Sequence, residues 1–131
     1  AFPGSPGSVY RPEDTQNLTA LLAEFRRQLN TLSEQTGKRY LLTIAASAGK
    51  GKYQKLQLNK IGRPLDWINL MTYDMHGAWN VHGPTDFNAP LYCSPRDPSP
   101  PPANAYCVDN TVKDYLAAGI PAHKIVLGVP F

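Results

Sequence analysis

The sequence predicts an α/β fold, and three observations support that prediction. Three apolar segments with strand character alternate with segments of helical periodicity. The strand segments are nearly continuous in apolar residues, as is typical of parallel strands buried on both faces. No glycine-rich phosphate loop follows any of them, which favours an α/β barrel over a doubly wound open sheet. An eight-stranded barrel takes about 250 residues, so a chain of 131 residues corresponds to roughly its middle third to half.

The first predicted element is a helix. Pro12 stands at its entry, Glu13 and Asp14 follow where the helix dipole favours negative charge, and Gly37 ends it. The apolar residues between these signals recur at helical spacing. They are Leu18, Leu21, Leu22, Phe25, Leu29 and Leu32. We expect this leucine stripe to pack against a sheet.

A buried strand is predicted over residues 39–47, and it ends in small side chains. Small residues at this point either leave room at the barrel mouth or allow a helix to pack closely, and the sequence leaves both readings open. A short helix is predicted over residues 52–60, closed by residues 61–64. Strand, helix and following strand then form one right-handed crossover unit.

The most informative strand covers residues 66–74. Read with a period of two, Ile68, Leu70 and Thr72 fall on one face. The other face carries polar-tipped and aromatic groups. These are Trp67, Asn69, Met71 and Tyr73. A barrel strand needs an apolar side for its helices and chemical groups at its C-terminal end, where Tyr73 and Asp74 stand.

Residues 75–106 are rich in proline and show no periodicity, so we predict a long functional loop that walls one side of the barrel mouth. Cys93 and Cys107 bracket its second half. A disulfide closing about 15 residues would restrict the unfolded chain by about 3 kcal/mol; two free thiols are the alternative. His76, His82 and His123 show no ligand spacing with these cysteines, so no metal is expected.

Regular structure resumes after the loop. Asp109 or Asn110 is predicted to cap a helix that runs through Leu116 and ends at Gly119. The last element, over residues 124–131, is predicted to be a third buried strand.

Composition and charge exclude several classes of partner. The formal net charge of +3 comes from scattered residues rather than a basic stripe interleaved with aromatics, so no nucleic acid partner is expected. No apolar run reaches the roughly 18 residues of a membrane span, and no basic and apolar leader opens the chain, so we expect no membrane and place any export signal upstream.

Five stretches of the chain resemble the chitinases of glycoside hydrolase family 18, with the closest likeness to secreted bacterial enzymes. They are Phe2-Pro3-Gly4, residues 11–17, residues 40–45, Trp67 to Asp74 with Gly77-Ala78-Trp79, and Leu127 to Phe131. The Met-Thr-Tyr-Asp strand with its trailing Gly-Ala-Trp is the most specific part of the likeness.

The resemblance implies a partial (β/α)8 TIM barrel that runs from the exit of the fourth strand to the seventh. Residues 1–131 would then be an incomplete segment of one catalytic barrel, with the Pro-rich loop at 75–106 and a need for the remainder of the barrel for stability. It also implies an extracellular hydrolase of chitin or chito-oligosaccharides that uses no cofactor. In this family the substrate assists: its acetamide oxygen attacks the anomeric carbon.

The same resemblance assigns residues to the site. Tyr73 would donate a hydrogen bond to the substrate acetamide, and Asp74 would contact the sugar beside the cleavage point. Met71 would line the pocket floor, Trp79 would offer a stacking face for a pyranose ring, and Phe2 is expected among the substrate-binding residues. Without the resemblance, Tyr73 could be a core tyrosine, Asp74 a turn former and Trp79 a loop anchor.

One departure stands out. The family signature places the acid glutamate where this sequence has Ala1, and its two aspartates would precede Ala1. Either alanine replaces the acid or the first residue belongs to a different context, and in both cases we expect the segment alone to be inactive. Two alternatives to a chitinase share the barrel. One is a chitinase-like lectin without hydrolytic activity, and the other is an endoglycosidase that releases N-glycans.

Overall fold

The computed structural model describes residues 7–131, so the expectations for Ala1 and Phe2 lie outside the described residues. The helices and strands follow in the order α1 Asp14–Thr36, β1 Thr43–Ser47, α2 Lys50–Tyr53, α3 Leu58–Ile61, β2 Trp67–Met71, α4 Val108–Ala117 and β3 Ile125–Leu127. Short 3-10 turns occupy Ala103–Ala105 and Ala122–Lys124. None of the described helices is long and apolar enough to cross a membrane.

The three strands form one parallel sheet in the order β1-β2-β3. The register places Ile44 beside Ile68 and Ile68 beside Ile125. Helices connect the parallel strands, which confirms the predicted α/β fold. The central strand β2 is paired along both of its edges.

The core lies on one face of this sheet, and β2 faces it as predicted. Ile68, Leu70 and Thr72 are fully buried. Ile68 and Leu70 pack in one cluster with Leu22 of α1 and Tyr115 of α4. The period-two pattern of β2 therefore identified the helix-facing side correctly.

Helix α1 begins and ends close to the predicted residues. Gly37 adopts a left-handed conformation with φ 69° and donates its N–H to the Ser33 carbonyl at 2.8 Å, which closes the helix as a glycine at this position commonly does. Only part of the leucine stripe is buried, however. Leu22 is in the core, whereas about half of the Leu21 and Phe25 side chains is exposed. The expectation that the whole stripe packs on the sheet is therefore wrong.

The reason is that a narrower face of α1 meets the rest of the chain. Arg26 lies one turn after Leu22 and donates hydrogen bonds to the carbonyls of Pro64 and Tyr40 and to the Asp66 carboxylate. The hydrogen bonds of Arg26 therefore occupy a part of the helix surface next to the core where apolar packing was expected. Leu21 and Phe25 lie on the side of the helix away from this contact and remain open.

The single helix predicted over residues 52–60 is wrong, because the chain forms two separate turns, α2 and α3. Side chains of α1 hold the break between them. The Thr15 hydroxyl donates to the Lys55 carbonyl at 2.8 Å, and the Thr19 hydroxyl donates to the Gln57 side-chain oxygen at 2.8 Å. These two contacts tie Lys55 and Gln57 to α1 at the point where the two turns separate.

The predicted cap of α4 is also wrong. Cys107 occupies the cap position, and Asp109 and Asn110 lie inside the first turn. The Asp109 carboxylate instead pairs with Lys113 one turn later, at 2.6 Å.

Strands β1 and β3 are shorter and more open than predicted. The structure begins β1 at Thr43, and Ala45 is exposed. In β3, Val126 and Leu127 are 44% and 47% exposed. Burial on both faces is therefore wrong within residues 7–131, because no layer of the described chain covers the second face of the sheet or the free edge of β3.

The N-terminal end of β2 is fixed by an ionic cluster around Asp66. This carboxylate accepts hydrogen bonds from Arg26, from Arg39 at 2.9 Å and from the Leu42 N–H at 2.7 Å. The Leu42 hydrogen bond, opposed by burial but aided by the two arginines, lowers the pKa of Asp66 to about 2. Asp66 is therefore a charged structural group at neutral pH.

Candidate active site

A cleft of about 600 Å³ opens at the C-terminal ends of β1 and β2, the edge at which α/β barrels build their active sites. Its lining comes from the exits of the two strands, from Lys52 in α2 and from the long loop. The lining residues are Ser47, Ala48, Gly49, Lys52, Met71, Tyr73, Asp74, Met75, Trp79, Asn80, Ala103 and Tyr106. Four of the five predicted catalytic or sugar-binding residues thus meet in one depression, and Phe2 lies outside the described residues.

Tyr73 follows β2 and rests against Gly128 on the exit of β3. A Cβ atom at Gly128 would lie 2.7 Å from a ring carbon of Tyr73 and 2.6 Å from the Leu70 carbonyl oxygen. The Gly128 N–H donates to that carbonyl at 2.8 Å, and the Thr72 hydroxyl donates to the Gly128 carbonyl at 2.6 Å. Only a residue without a side chain fits here, so Gly128 sets the place of the Tyr73 ring.

Asp74 has a left-handed backbone conformation, with φ 55°, which is uncommon for a residue with a side chain. Asn88 holds it there. Its side-chain oxygen accepts the Asp74 N–H at 3.2 Å, and its amide nitrogen donates to the Asp74 carboxylate at 2.9 Å. The Asn88 carbonyl also accepts the Met75 N–H at 2.8 Å. A loop residue thereby fixes an exposed carboxylate at the mouth of the cleft.

Trp79 presents a broad apolar face to the cleft. Its side chain is 59% exposed, and its ring covers Gly77, where a Cβ atom would lie 2.4 Å from the nearest ring carbon. Met71 is also partly exposed and lines the cleft between β2 and the loop. An exposed indole beside polar groups is suited to contact a ligand that has both apolar faces and hydroxyls.

The small residues at the end of β1 allow close packing from two directions. A Cβ atom at Gly49 would lie 3.7 Å from the Tyr106 ring. From the other side, Tyr115 donates its hydroxyl to the Ser47 carbonyl at 3.1 Å and Thr111 donates to the Ala48 carbonyl at 2.9 Å. Small side chains here admit both the loop and α4, and they also line the cleft.

The α2 side of the cleft is attached to α4. The Tyr53 hydroxyl donates to the Asp114 carboxylate at 2.6 Å, and Lys50 lies 3.3 Å from the same carboxylate. Burial, reinforced by the neighbouring Asp114, raises the pKa of Tyr53, which keeps this phenol a neutral donor. These contacts therefore hold the α2 wall of the cleft in place against α4.

The base of the long loop is tied to the start of α4. Cys93 and Cys107 form a disulfide. The carbonyls of Pro90 and Leu91 accept the N–H groups of Val108 and Asp109 at 2.9 and 3.0 Å. These ties hold the second half of the loop beside the cleft without a helix or strand.

The cleft carries one carboxylate and one amine among its described lining residues, Asp74 and Lys52. The glutamates of the chain, Glu13, Glu24 and Glu34, all lie at or in α1 and none lines the cleft. A phenol, a carboxylate and an aromatic face together can orient and polarise a sugar, but acid catalysis needs a proton donor besides them.

Sequence reasoning found the residues whose side chains face the cleft from β2 but missed those that position them. Gly128, Asn88 and Tyr106 were not singled out. The signal available for Gly128 was a glycine inside an apolar strand, which often marks a close approach of backbone or ring. Asn88 carried no local signal, because its partner lies 14 residues earlier.

Comparison with known proteins extends over the whole chain. The sequence model of Glycosyl hydrolases family 18 matches residues 2–131. Chitinase A1 of Niallia circulans is 44% identical over 130 residues, covering 98% of this chain and 18% of that protein. Chitinase ChiA74 from Bacillus thuringiensis superposes with a TM-score of 0.87 at 47% identity, covering 96% of this chain and 20% of that one.

A third similar protein was solved with a sugar. A mutant of catalytic domain 2 of the Ostrinia furnacalis group II chitinase, in complex with the oligosaccharide (NAG)5, superposes with a TM-score of 0.78 at 33% identity. The match covers 92% of this chain and 29% of that one. The chain therefore spans between about a fifth and just under a third of the length of these three relatives.

Proposed function

Because the chain belongs to glycosyl hydrolase family 18, we propose that it is part of a chitinase catalytic barrel whose complete form hydrolyses β-1,4-linked N-acetylglucosamine polymers. The observation that carries this proposal is the meeting of Tyr73, Asp74 and Trp79 in one cleft at the C-terminal ends of the strands. Chitin or a chito-oligosaccharide would be the substrate.

The chemistry proposed is a retaining, substrate-assisted cleavage. The acetamide oxygen of the sugar attacks its own anomeric carbon, and the bond to the leaving oxygen breaks as that oxygen takes a proton from a general acid. Tyr73 donates a hydrogen bond to the acetamide, which fixes the carbonyl for attack. Asp74 contacts the same sugar and stabilises the positive charge that develops on it.

The described residues of the cleft do not supply the general acid that this chemistry needs. None of the described residues that line the cleft is a glutamate, and the family signature places its acid at the position of Ala1. We therefore expect the 131-residue segment alone to be inactive, since general acid catalysis contributes about 10² to 10⁴-fold.

The open surfaces of the segment support the proposal that residues 1–131 are one part of a single catalytic barrel, with the loop at 75–106 as a wall of its mouth. Leu21 and Phe25 of α1 and Val126 and Leu127 of β3 are about half exposed. Neighbouring barrel elements would cover them, so the remainder of the barrel is expected to be needed for stability. A monomeric segment that melts cooperatively on its own would contradict this.

We further propose that the protein acts outside the cell. The Cys93–Cys107 disulfide supports this location, since such bonds persist mainly in oxidising compartments.

The decisive experiment uses the complete barrel with a soluble N-acetylglucosamine oligomer, a chitin suspension and a glycoprotein that carries N-glycans. Mass spectrometry of the products should show shorter N-acetylglucosamine oligomers and no released N-glycan. Binding of the oligomer without turnover would overturn the proposal in favour of a lectin. Release of N-glycans with no cleavage of the oligomer would overturn it in favour of an endoglycosidase.

A further inference from the structure

One buried histidine in the long loop lacks hydrogen-bond partners. His76 is 3% exposed, and neither of its ring nitrogens makes a hydrogen bond to any part of the chain that the structure describes. These two nitrogens are also the only buried side-chain nitrogen or oxygen atoms without a partner in residues 7–131. A buried polar group of this kind is costly unless something binds it.

Two aspartates of the same loop converge on this ring. The Asp97 Oδ2 atom lies 3.7 Å from His76 Nε2, and its side chain is 5% exposed. Asp86 completes the group, because one ligand atom from each of the three residues lies within 4.8 Å of the others. The residues are separated by 10 and 11 positions in the sequence, so the fold of the loop brings them together.

Each aspartate accepts a backbone N–H on its Oδ1 atom, and the Asp97 Oδ2 atom is the one nearest His76 Nε2. Asp97 accepts the Ser99 N–H on Oδ1 at 2.8 Å, and Asp86 accepts the Phe87 N–H on Oδ1 at 2.6 Å. A buried carboxylate 3.7 Å from an imidazole that has no hydrogen bond is a pair of groups to which a cation could bind.

We propose that His76, Asp86 and Asp97 form a binding site for a zinc ion that clamps the long loop. Zinc bonds of about 2.0 to 2.2 Å in tetrahedral geometry place neighbouring ligand atoms about 3.3 Å apart. The His76–Asp97 spacing of 3.7 Å is close to that value. The Asp86 carboxylate lies farther away, within 4.8 Å of the other two ligand atoms, and a rotation of its partly exposed side chain would bring it to the zinc distance. Water would fill the fourth coordination position.

The ligand set favours zinc over calcium or magnesium. Imidazole nitrogen is a good ligand for zinc and other first-row transition ions, whereas calcium and magnesium take oxygen ligands. No metal was expected from the sequence, because the three histidines show no ligand spacing with the cysteines. Here a single histidine and two distant carboxylates supply the ligands.

The ion would act on the cleft through the loop. His76 lies two residues after Asp74, and Asp86 lies two residues before Asn88, which holds Asp74 in place. Zinc would therefore join the start and middle of the loop, while the Cys93–Cys107 disulfide joins its end to α4. This inference does not depend on the proposed hydrolysis.

The test is zinc titration of the complete, untagged protein after dialysis against a chelator, followed by calorimetry and metal analysis. We expect zinc to bind at this site, with Asp97→Asn and Asp86→Asn each weakening it by about tenfold or more. Asp109→Asn is the matched control, because Asp109 is a carboxylate on α4 that pairs with Lys113, and its zinc affinity should equal that of the unchanged protein. Magnesium and calcium should not compete.

Two further results would overturn the site. One is zinc affinity that stays the same in both aspartate variants, and the other is no zinc uptake at roughly 100 µM metal, well above the range of a structural site. Visible absorption of Co²⁺ bound in place of zinc gives an independent readout, since it should be lost in Asp86→Asn. Asp86 is partly exposed whereas His76 is buried, so this variant is expected to fold even where a change at His76 prevents folding.

Discussion

Strand β2 has an aspartate just beyond each end, and the two sit in opposite environments. Asp66, before the strand, is 12% exposed and is held by Arg26, Arg39 and the Leu42 N–H. Asp74, after the strand, is exposed, has a left-handed backbone and is held by the side chain of Asn88. Charge at the start of the strand is therefore buried in contacts that stabilise the fold, whereas charge at its end is exposed in the cleft, where we propose that it contacts the sugar.

The largest effect that tests this division is expected at Tyr73. Tyr73→Phe removes the hydroxyl proposed to hold the acetamide, so hydrolysis of an N-acetylglucosamine oligomer by the complete barrel should fall about 10² to 10³-fold. The melting temperature should stay the same, because the ring remains. Steady-state kinetics on the purified variant measure the loss.

Tyr40→Phe is the matched control at the other end of the sheet. The Tyr40 hydroxyl lies 3.2 Å from the Thr36 hydroxyl, far from the cleft lining. Its activity should equal that of the unchanged protein. Equal losses in both variants would contradict the assignment of catalysis to the C-terminal end.

A smaller effect, on both stability and activity, is expected from Gly128→Ala. The new Cβ atom would meet the Leu70 carbonyl and the Tyr73 ring at less than 3 Å, so the strand exit or the ring must move, at a cost of about 1 to 3 kcal/mol. For the complete barrel, both the free energy of unfolding measured in urea and kcat should fall. Gly51→Ala is the control, because its Cβ atom would come no closer than 3.6 Å to a neighbour; a similar loss there would show that the contact at Gly128 is not the cause.

At the N-terminal end of β2, Asp66→Asn should lower the free energy of unfolding at pH 7 by about 2 kcal/mol, since hydrogen bonds to a charged group are lost. The pKa of Asp66 is about 2 in the folded protein and 3.8 for an ordinary aspartate. Its stabilising contribution is therefore full well above pH 4 and disappears as the pH falls towards 2. Urea unfolding at several pH values should show a gap between the two proteins at pH 7 that closes in acid.

Asp74→Asn is the companion variant for this comparison. Its amide can still meet Asn88, and its side chain is exposed, so the free energy of unfolding should change by less than about 0.5 kcal/mol. Hydrolysis should nevertheless fall. A destabilisation equal to that of Asp66→Asn would remove the distinction between the two ends.

The smallest effect is expected from Trp79→Ala. The side chain is mostly exposed, so stability should change little, while the KM for an N-acetylglucosamine oligomer should rise by roughly two- to tenfold as the stacking face is lost. Phe87→Ala, at an exposed aromatic of the same loop outside the cleft, is the control. An unchanged KM in the Trp79 variant would remove this residue from the sugar site.

Local signals account for what could be predicted of the fold. Alternation along β2 identified Ile68 and Leu70 as buried, and Gly37 marked the end of α1. The break between α2 and α3 could not be predicted, because hydroxyls of α1 some 40 residues away hold it. The burial predicted for β3 presumed a second layer, and residues 7–131 do not supply one.

The same limit applies to the candidate site. Tyr73 and Asp74 could be predicted because they stand where a strand ends. The glycine beneath Tyr73 lies 55 positions later in the sequence, and such a contact depends on the register of β2 and β3. Sequence patterns therefore predicted which groups face the cleft, and the structure was needed to find what holds them.

The pairing of β2 on both edges has a consequence for synthesis on the ribosome. Its two neighbours, β1 and β3, and the Gly128 N–H that bonds to Leu70 lie within the stretch from Thr43 to Gly128, so both edges of β2 are paired by residues of this stretch. Chains fold from the N-terminus as they emerge. Tyr73 can therefore take its place against the exit of β3 only once Gly128, which its ring contacts, has left the exit tunnel.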